Sequence, residues 1–259
     1  MKYGIGHLSV VPCRADAADS SEQVTQLLFG ETIKVYEKKR SWYRVKIAHD
    51  SYECWMDENQ FKFITQREFE QLSLRKPFVV SDLVEVLTKK DGTELMTVLM
   101  GSNLPNIENK LVDVKESVWK FEGNSLDSNE VHEKKKLTEN AFMLLNAPYQ
   151  WGGRSPFGID CSGFVQLVYK LNGIYLPRDA SQQASMGQPL SFIEEAEEGD
   201  LAFFDNDEGN ITHVGIILSN NRIIHASGKV RIDKLDHQGI YNQEKRDYSH
   251  RLRLISSIY

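Results

Sequence analysis

The chain has 259 residues, long for one compact domain and suited to two or three. Its 41% hydrophobic and 26% charged residues are ordinary for a water-soluble globular protein. The net charge of -6 argues against a nucleic-acid partner, and no run approaches the ~18 apolar residues of a membrane helix. Three cysteines, Cys13, Cys54 and Cys161, cannot all pair within one chain and lack metal-knuckle spacing. A reducing compartment is the simpler reading, with one Cys13–Cys54 bridge as the alternative. The first residues hold no apolar core of signal-peptide length, so the expected location is cytoplasmic; a trimmed signal sequence would mean export instead.

In chain order, residues 1–70 read as short strands. Gln26 to Glu31 is followed by the alternating run Thr32-Ile33-Lys34-Val35-Tyr36, then by Ser41 to Ile47 and Tyr52 to Met56. Closely spaced strands with few helix signals predict a small β-barrel. The acidic patch Asp16 to Glu22 reads as a loop or a short helix start. Residues 75–125 predict a second small β unit, with strands at Phe78-Val79-Val80, Leu83 to Leu87 and Thr97 to Ser102, and a hairpin turn at Asp91-Gly92. Two unrelated β units and a degenerate duplication are equally compatible with this pattern. From 130 to 259 the pattern changes. A helical stretch covers His132 to Leu145, and a second helix begins near Cys161, with apolar Phe164, Val165, Leu167, Val168 and Leu171 on one face and Asn172-Gly173 as its stop. Strands follow at Asp200 to Phe204, Thr212 to Leu218 and Arg222 to Ala226. The fold class expected is α+β.

Cys161 is the residue around which the chemistry gathers. It sits between a glycine-rich approach and the first turn of its helix, where unpaired backbone N–H groups favour an anion. That placement predicts a lowered thiol pKa and a reactive sulfur, against the blander reading of a buried structural cysteine. His213 and His225 lie on neighbouring strands joined by the turn signal Asn220-Asn221, so both imidazoles can face one side and meet. A cysteine peptidase needs a thiolate, a histidine to share its proton, and a polar group to hold that ring. Either histidine alone is more often structural. A zinc site is a rival, because His213, His225 and His237 recur every 12 residues. His237 falls in a polar loop, however, and the expectation is no metal and no cofactor.

Six segments in order (Tyr149 to Gly153, Gly158 to Phe164, Leu176 to Gln183, Glu198 to Phe204, His213 to Ile216 and Ile224 to Ala226) together resemble the NlpC/P60 family of cell-wall cysteine peptidases. The resemblance covers about the last 130 residues. The N-terminal part resembles, more weakly, bacterial SH3-type domains, through Leu28 to Glu31 and Tyr52 to Trp55. The family pattern usually has glycine where this chain has Cys54. The resemblance implies a papain-like catalytic domain behind two SH3-like barrels. It implies Cys161 as nucleophile, His213 as base and His225 as the residue that orients His213. It further implies hydrolysis of the γ-D-glutamyl bond to lysine or diaminopimelate in peptidoglycan stem peptides, the partners being wall-derived peptides. In the subgroup with two barrels, a free L-alanine amine is held by acidic and hydroxyl groups. Asp179 and Ser162 match on the catalytic side, Glu31 and Tyr52 are the candidates from the first barrel, and Trp151 is a further substrate-binding candidate. Tyr149, with the Cys161 backbone N–H, is the oxyanion candidate, and Ser162 a support. An ammonium calls independently for a partly buried carboxylate, although Asp179 also reads as a helix cap. Two alternatives stand: an endopeptidase on intact wall peptides, and a wall-peptide-binding protein without catalysis.

Overall fold

The computed structural model describes residues 1–74, 76–115 and 117–259. The N-terminal unit is an antiparallel seven-stranded sheet in the order Gln23–Leu28, Val10–Arg14, Glu53–Asp57, Trp42–Ile47, Thr32–Lys39, Lys2–Ile5 and Lys62–Ile64. Period-two alternation builds its core, because successive side chains point to opposite faces. Val11, Cys13, Ile33, Val45, Cys54 and Met56 turn inward and are buried. Cys54 therefore sits inside a strand rather than in a turn. The acidic patch is an irregular loop rather than a helix start.

A helix at Gln66–Ser73 was not expected. Its signal was present as a capping box, in which the Thr65 side chain takes the Glu68 backbone N–H and the Glu68 carboxylate takes that of Thr65. The next unit has two small sheets. One runs Leu95–Leu99, Val84–Lys89, Ser117–Phe121 and Leu111–Val114; the other runs Asn103–Leu104, Phe78–Val80 and Ser125–Asp127. Its core includes Ile5 and Phe29, so the first two units share apolar packing.

The C-terminal unit begins with a helix at Lys134–Met143 and continues with the helix Cys161–Leu171. Strands Leu201–Asp205, Ile211–Leu218, Arg222–Ser227, Lys229–Leu235 and Gly239–Asn242 follow in sequence order. The long strand Asp247–Ser257 pairs with both the first and the last of these and closes six strands into a barrel. Gln188–Leu190 adds outside that ring. The expected α+β architecture, with small β units ahead of a catalytic one, is the one observed.

The Cys161 helix departs from its sequence pattern. All 11 of its residues are buried, although the pattern is amphipathic. The apolar face packs on the strands bearing His213 and His225. The polar face is covered by the two preceding units. Lys170 Nζ donates to Glu31 Oε1 at 2.8 Å and to the Gly101 carbonyl at 2.7 Å, and Gln166 Nε2 donates to Asp50 Oδ2 at 3.0 Å. Arg154 adds a two-pronged pair to Glu31, with both N···O distances 3.0 Å. This buried ion cluster fixes the first unit against the helix that begins at Cys161.

Candidate active site

Asp160 caps the Cys161 helix by accepting the Gly163 N–H at 2.7 Å, and its other oxygen accepts the Gly152 N–H at 2.8 Å. Arg178 approaches the same carboxylate with two nitrogens and also donates to Ser162 Oγ at 2.8 Å. Together these hold the glycine-rich approach against the first turn. Ser162 is thereby occupied, since its hydroxyl also donates to Asp160 at 3.3 Å. It supports the turn while still lining the cleft.

The thiol reverses an expectation. Burial first, and then the Asp160 charge, push Cys161 up to about 11, while the Val214 backbone N–H on the His213 strand, Arg178 and the Ser162 N–H pull the other way. Desolvation outweighs the helix terminus, because burial penalises the thiolate directly. Cys161 Sγ lies 4.0 Å from the carbonyl oxygen of Thr212, the residue before His213.

His213 and His225 meet as expected. The two strands join through Asn220 and Asn221, both with positive φ of 60° and 53°, which suits a hairpin turn. Register pairs Gly215 with His225, so His213 and His225 share a face. The absent side chain at Gly215 leaves room for the ring, since a Cβ there would stand 2.8 Å from His225 Cβ. His213 Nε2 and His225 Nδ1 are 2.8 Å apart. His225 Nε2 lies 3.0 Å from Asp233 Oδ2, and Arg231 grips Asp233 through Nε at 2.7 Å and Nη2 at 3.0 Å. Burial, with the neighbouring histidines as a smaller cause, holds His213 well below the ordinary histidine range. Burial also lowers His225, against the pull of Asp233.

Arg231, Asp233 and His250 were missing from the sequence reading. The first two had a faint signal: they follow His225 across the Ser227-Gly228 turn at period-two spacing, and His225 pairs with Arg231. His250 had none, because it arrives from the far strand Asp247–Ser257. Its ring stacks on His213 with centroids 4.0 Å apart and planes 22° apart. His213, His225 and His250 bring ring nitrogens within 4.8 Å of one another, the spacing of a possible metal cluster. Stacked rings carry their lone pairs side by side instead of converging, and His213 and His225 spend facing nitrogens on each other. His237 is exposed and does not join them.

Beside Cys161 opens a cleft of about 530 Å³ whose wall includes Trp151, Ser162 and Asp179 from the catalytic unit and Glu22 and Tyr52 from the first unit. Tyr52 hydrogen-bonds Asp179. Burial, then the Asp179 charge, raise the phenol to about 12, so its hydroxyl stays a donor. Asp179 itself is raised above the ordinary carboxyl range, chiefly by burial. It is also the N-cap of the short helix Ala180–Gln183, so the anticipated capping position and a place on the cleft wall coexist. Glu31 is a correction. It is 1% exposed, it accepts from Arg154 and Lys170, and the first unit's acid in the cleft wall is Glu22. Glu31 ends the more obvious motif, but the fold turns it into the buried cluster with Arg154 and Lys170, while Glu22 comes from the end of the acidic loop. Glu22 Oε1 accepts from Trp151 Nε1 at 2.5 Å, which ties the loop to the cleft rim. Tyr149 is half-exposed; burial and then the Cys161 charge raise its phenol to about 12.

A helix-borne cysteine beside a strand-borne histidine relay defines a papain-like cysteine peptidase. Residues 146–248 match the NlpC/P60 family model, and residues 14–61 match the bacterial dipeptidyl-peptidase SH3 domain. The C-terminal unit is an NlpC/P60 cysteine peptidase domain, and a bacterial dipeptidyl-peptidase SH3 domain precedes it. It is 29% identical over 217 residues to the γ-D-glutamyl-L-lysine dipeptidyl-peptidase of Bacillus subtilis, covering 78% of this chain and 71% of that protein. It is 26% identical over 249 residues to dipeptidyl-peptidase 6 of Lysinibacillus sphaericus, covering 86% and 89%. The crystal structure of an NlpC/P60 family protein from Bacillus cereus shares the fold, with a TM-score of 0.84 at 23% identity over 99% of both chains.

Proposed function

We propose that the enzyme hydrolyses the γ-D-glutamyl–diamino acid bond of peptidoglycan stem peptides that carry a free N-terminal L-alanine, releasing L-Ala-γ-D-Glu. The observation that carries this reading is the acidic wall of the cleft. Glu22, Asp179 and the Tyr52 hydroxyl stand in one cavity with Cys161, where an ammonium finds charge-assisted partners. An end wall contributed by a second unit limits how much peptide precedes the scissile bond. The names of the relatives from Bacillus subtilis and Lysinibacillus sphaericus agree with it.

In this reading Cys161 attacks the γ-carbonyl of D-glutamate and His213 takes the thiol proton. Because the resting thiol is neutral, that proton moves as the sulfur attacks rather than beforehand. The Cys161 backbone N–H and the Tyr149 hydroxyl, which keeps its proton below about pH 12, receive the oxyanion. His213 then protonates the leaving amine, and water releases the acyl-enzyme.

The test is cleavage of L-Ala-γ-D-Glu-L-Lys beside the same tripeptide with an acetylated N-terminus. The expected result is turnover of the free peptide alone, abolished by Cys161→Ala. Equal cleavage of the blocked peptide would instead indicate an endopeptidase on intact wall peptides. Binding without turnover would indicate a wall-binding protein.

A further inference from the structure

We infer that Asp233, clamped by Arg231, is a positioning residue that sets the proton arrangement of both histidines and thereby leaves His213 Nδ1 unprotonated, free to take the Cys161 proton. The inference rests on the Cys161–His213 reading above and adds a residue that reading does not contain.

The logic runs from one end of the relay to the other. A carboxylate can only accept hydrogen bonds. Asp233 is ionised across the working range: burial raises its carboxyl, but the bonds from His225 and Arg231 outweigh that and hold it below the ordinary value. The 3.0 Å contact between Asp233 Oδ2 and His225 Nε2 therefore requires the proton on Nε2. A neutral imidazole has one N–H, so His225 Nδ1 is a lone pair. The 2.8 Å contact from that nitrogen to His213 Nε2 then requires a proton on His213 Nε2. His213 Nδ1 is left unprotonated, able to take the thiol proton. Reverse the first assignment and each later one reverses, ending with the proton on His213 Nδ1 and no base.

Arg231 makes the assignment stable. Its two donors occupy both Asp233 oxygens, keeping the charge on and the rotamer fixed. His225 is buried at 1% exposure, so water cannot substitute for the carboxylate. After proton transfer the His213 imidazolium donates Nε2–H to a His225 whose basicity is raised by Asp233. The same groups thus position the base and share its charge.

The test reads proton positions directly. Nitrogen-15 spectra of the histidine rings in the wild-type protein at neutral pH should show both His213 and His225 as the Nε2–H tautomer. A spectrum with His225 as the Nδ1–H tautomer overturns the inference without any substitution or substrate. Asp233→Asn presents an amide where the wild type presents only acceptors. It should lower kcat on L-Ala-γ-D-Glu-L-Lys by about 10²- to 10⁴-fold with KM within threefold, as a wrong tautomer does in a serine triad. Its nitrogen-15 spectrum should show His213 moved toward Nδ1–H. A folded Asp233→Asn protein with kcat within threefold of wild type also overturns the inference. Should Cys161→Ala prove fully active, the catalytic reading fails, and the ring spectra still decide the tautomer.

Discussion

Cys161 illustrates how position and environment pull one side chain in opposite directions. The helix terminus favours the thiolate by about 0.3–1 kcal/mol at an exposed site, whereas burial and Asp160 raise the thiol to about 11. Burial wins because it removes hydration from the whole charge. At pH 7 the free enzyme then holds about one thiolate in 10⁴. Alkylation of Cys161 by iodoacetamide, read by mass spectrometry against Cys161→Ala, should speed up roughly tenfold per pH unit between about 7 and 10. A plateau near pH 6 would show a preformed thiolate–imidazolium pair and contradict the neutral resting state. Asp179 lends itself to a second measurement. Its raised carboxyl begins to protonate at a higher pH than an ordinary aspartate, so KM for the free tripeptide should rise early on acidification. In Asp179→Asn that early rise should vanish, while KM is higher throughout.

At the scale of the element, the hairpin bearing both histidines was legible because turn chemistry and strand period agree. Asn220-Asn221 fixes the turn, and the period of two puts His213 and His225 on one face. What the pattern did not carry is the space they need. Gly215 provides it, with a Cβ there meeting Ile223 Cδ1 at 2.7 Å and His225 Cβ at 2.8 Å. Gly215→Ala should cost about 1–3 kcal/mol in urea unfolding, through overpacking. It should also lower kcat more than tenfold by moving His225 off His213. Loss of stability with kcat unchanged would mean the ring tolerates the shift. The capping box at Thr65 and Glu68 is equally legible in the sequence, and locally it overrides the strand pattern that surrounds it.

For the whole molecule, the decisive feature is the buried cluster between the first unit and the Cys161 helix. Glu31 meets Arg154 and Lys170 where all three side chains are 1% exposed. Glu31→Gln leaves two cations facing a neutral amide and should destabilise by about 3–5 kcal/mol, measured by chemical denaturation. The pH dependence has a definite sign. Burial alone would raise the Glu31 carboxyl, yet Arg154, Lys170 and His49 hold it well below its ordinary 4.5. Its contribution is present above about 4.5 and is lost as the pH falls from there toward the folded value. His49, lowered by burial to about 4 from 6.5, acts in the same direction. Its neutral form is favoured in the folded state, so that contribution is complete above 6.5 and declines as pH falls toward 4. Thermal stability should therefore drop on acidification beginning near pH 6.5, with a further loss below about 4.5; an increase across that range would refute the assignment.

By itself the sequence determined the local part of this enzyme: the strand-rich start, the helix that opens at Cys161, and the histidine hairpin. Those are set by spacing, turn residues and caps within a few positions of one another. Only tertiary structure decided which acid reaches the cleft. Glu22 and Glu31 lie nine positions apart in one unit, and the fold sends one to the wall of the cleft and the other into the buried ion cluster against the Cys161 helix. It also decided that the thiol rests neutral, that the polar face of its helix is buried, and that His250 stacks on His213. Each of these depends on burial or on partners more than 30 residues away, and desolvation is a property of what surrounds a group rather than of its neighbours in the chain.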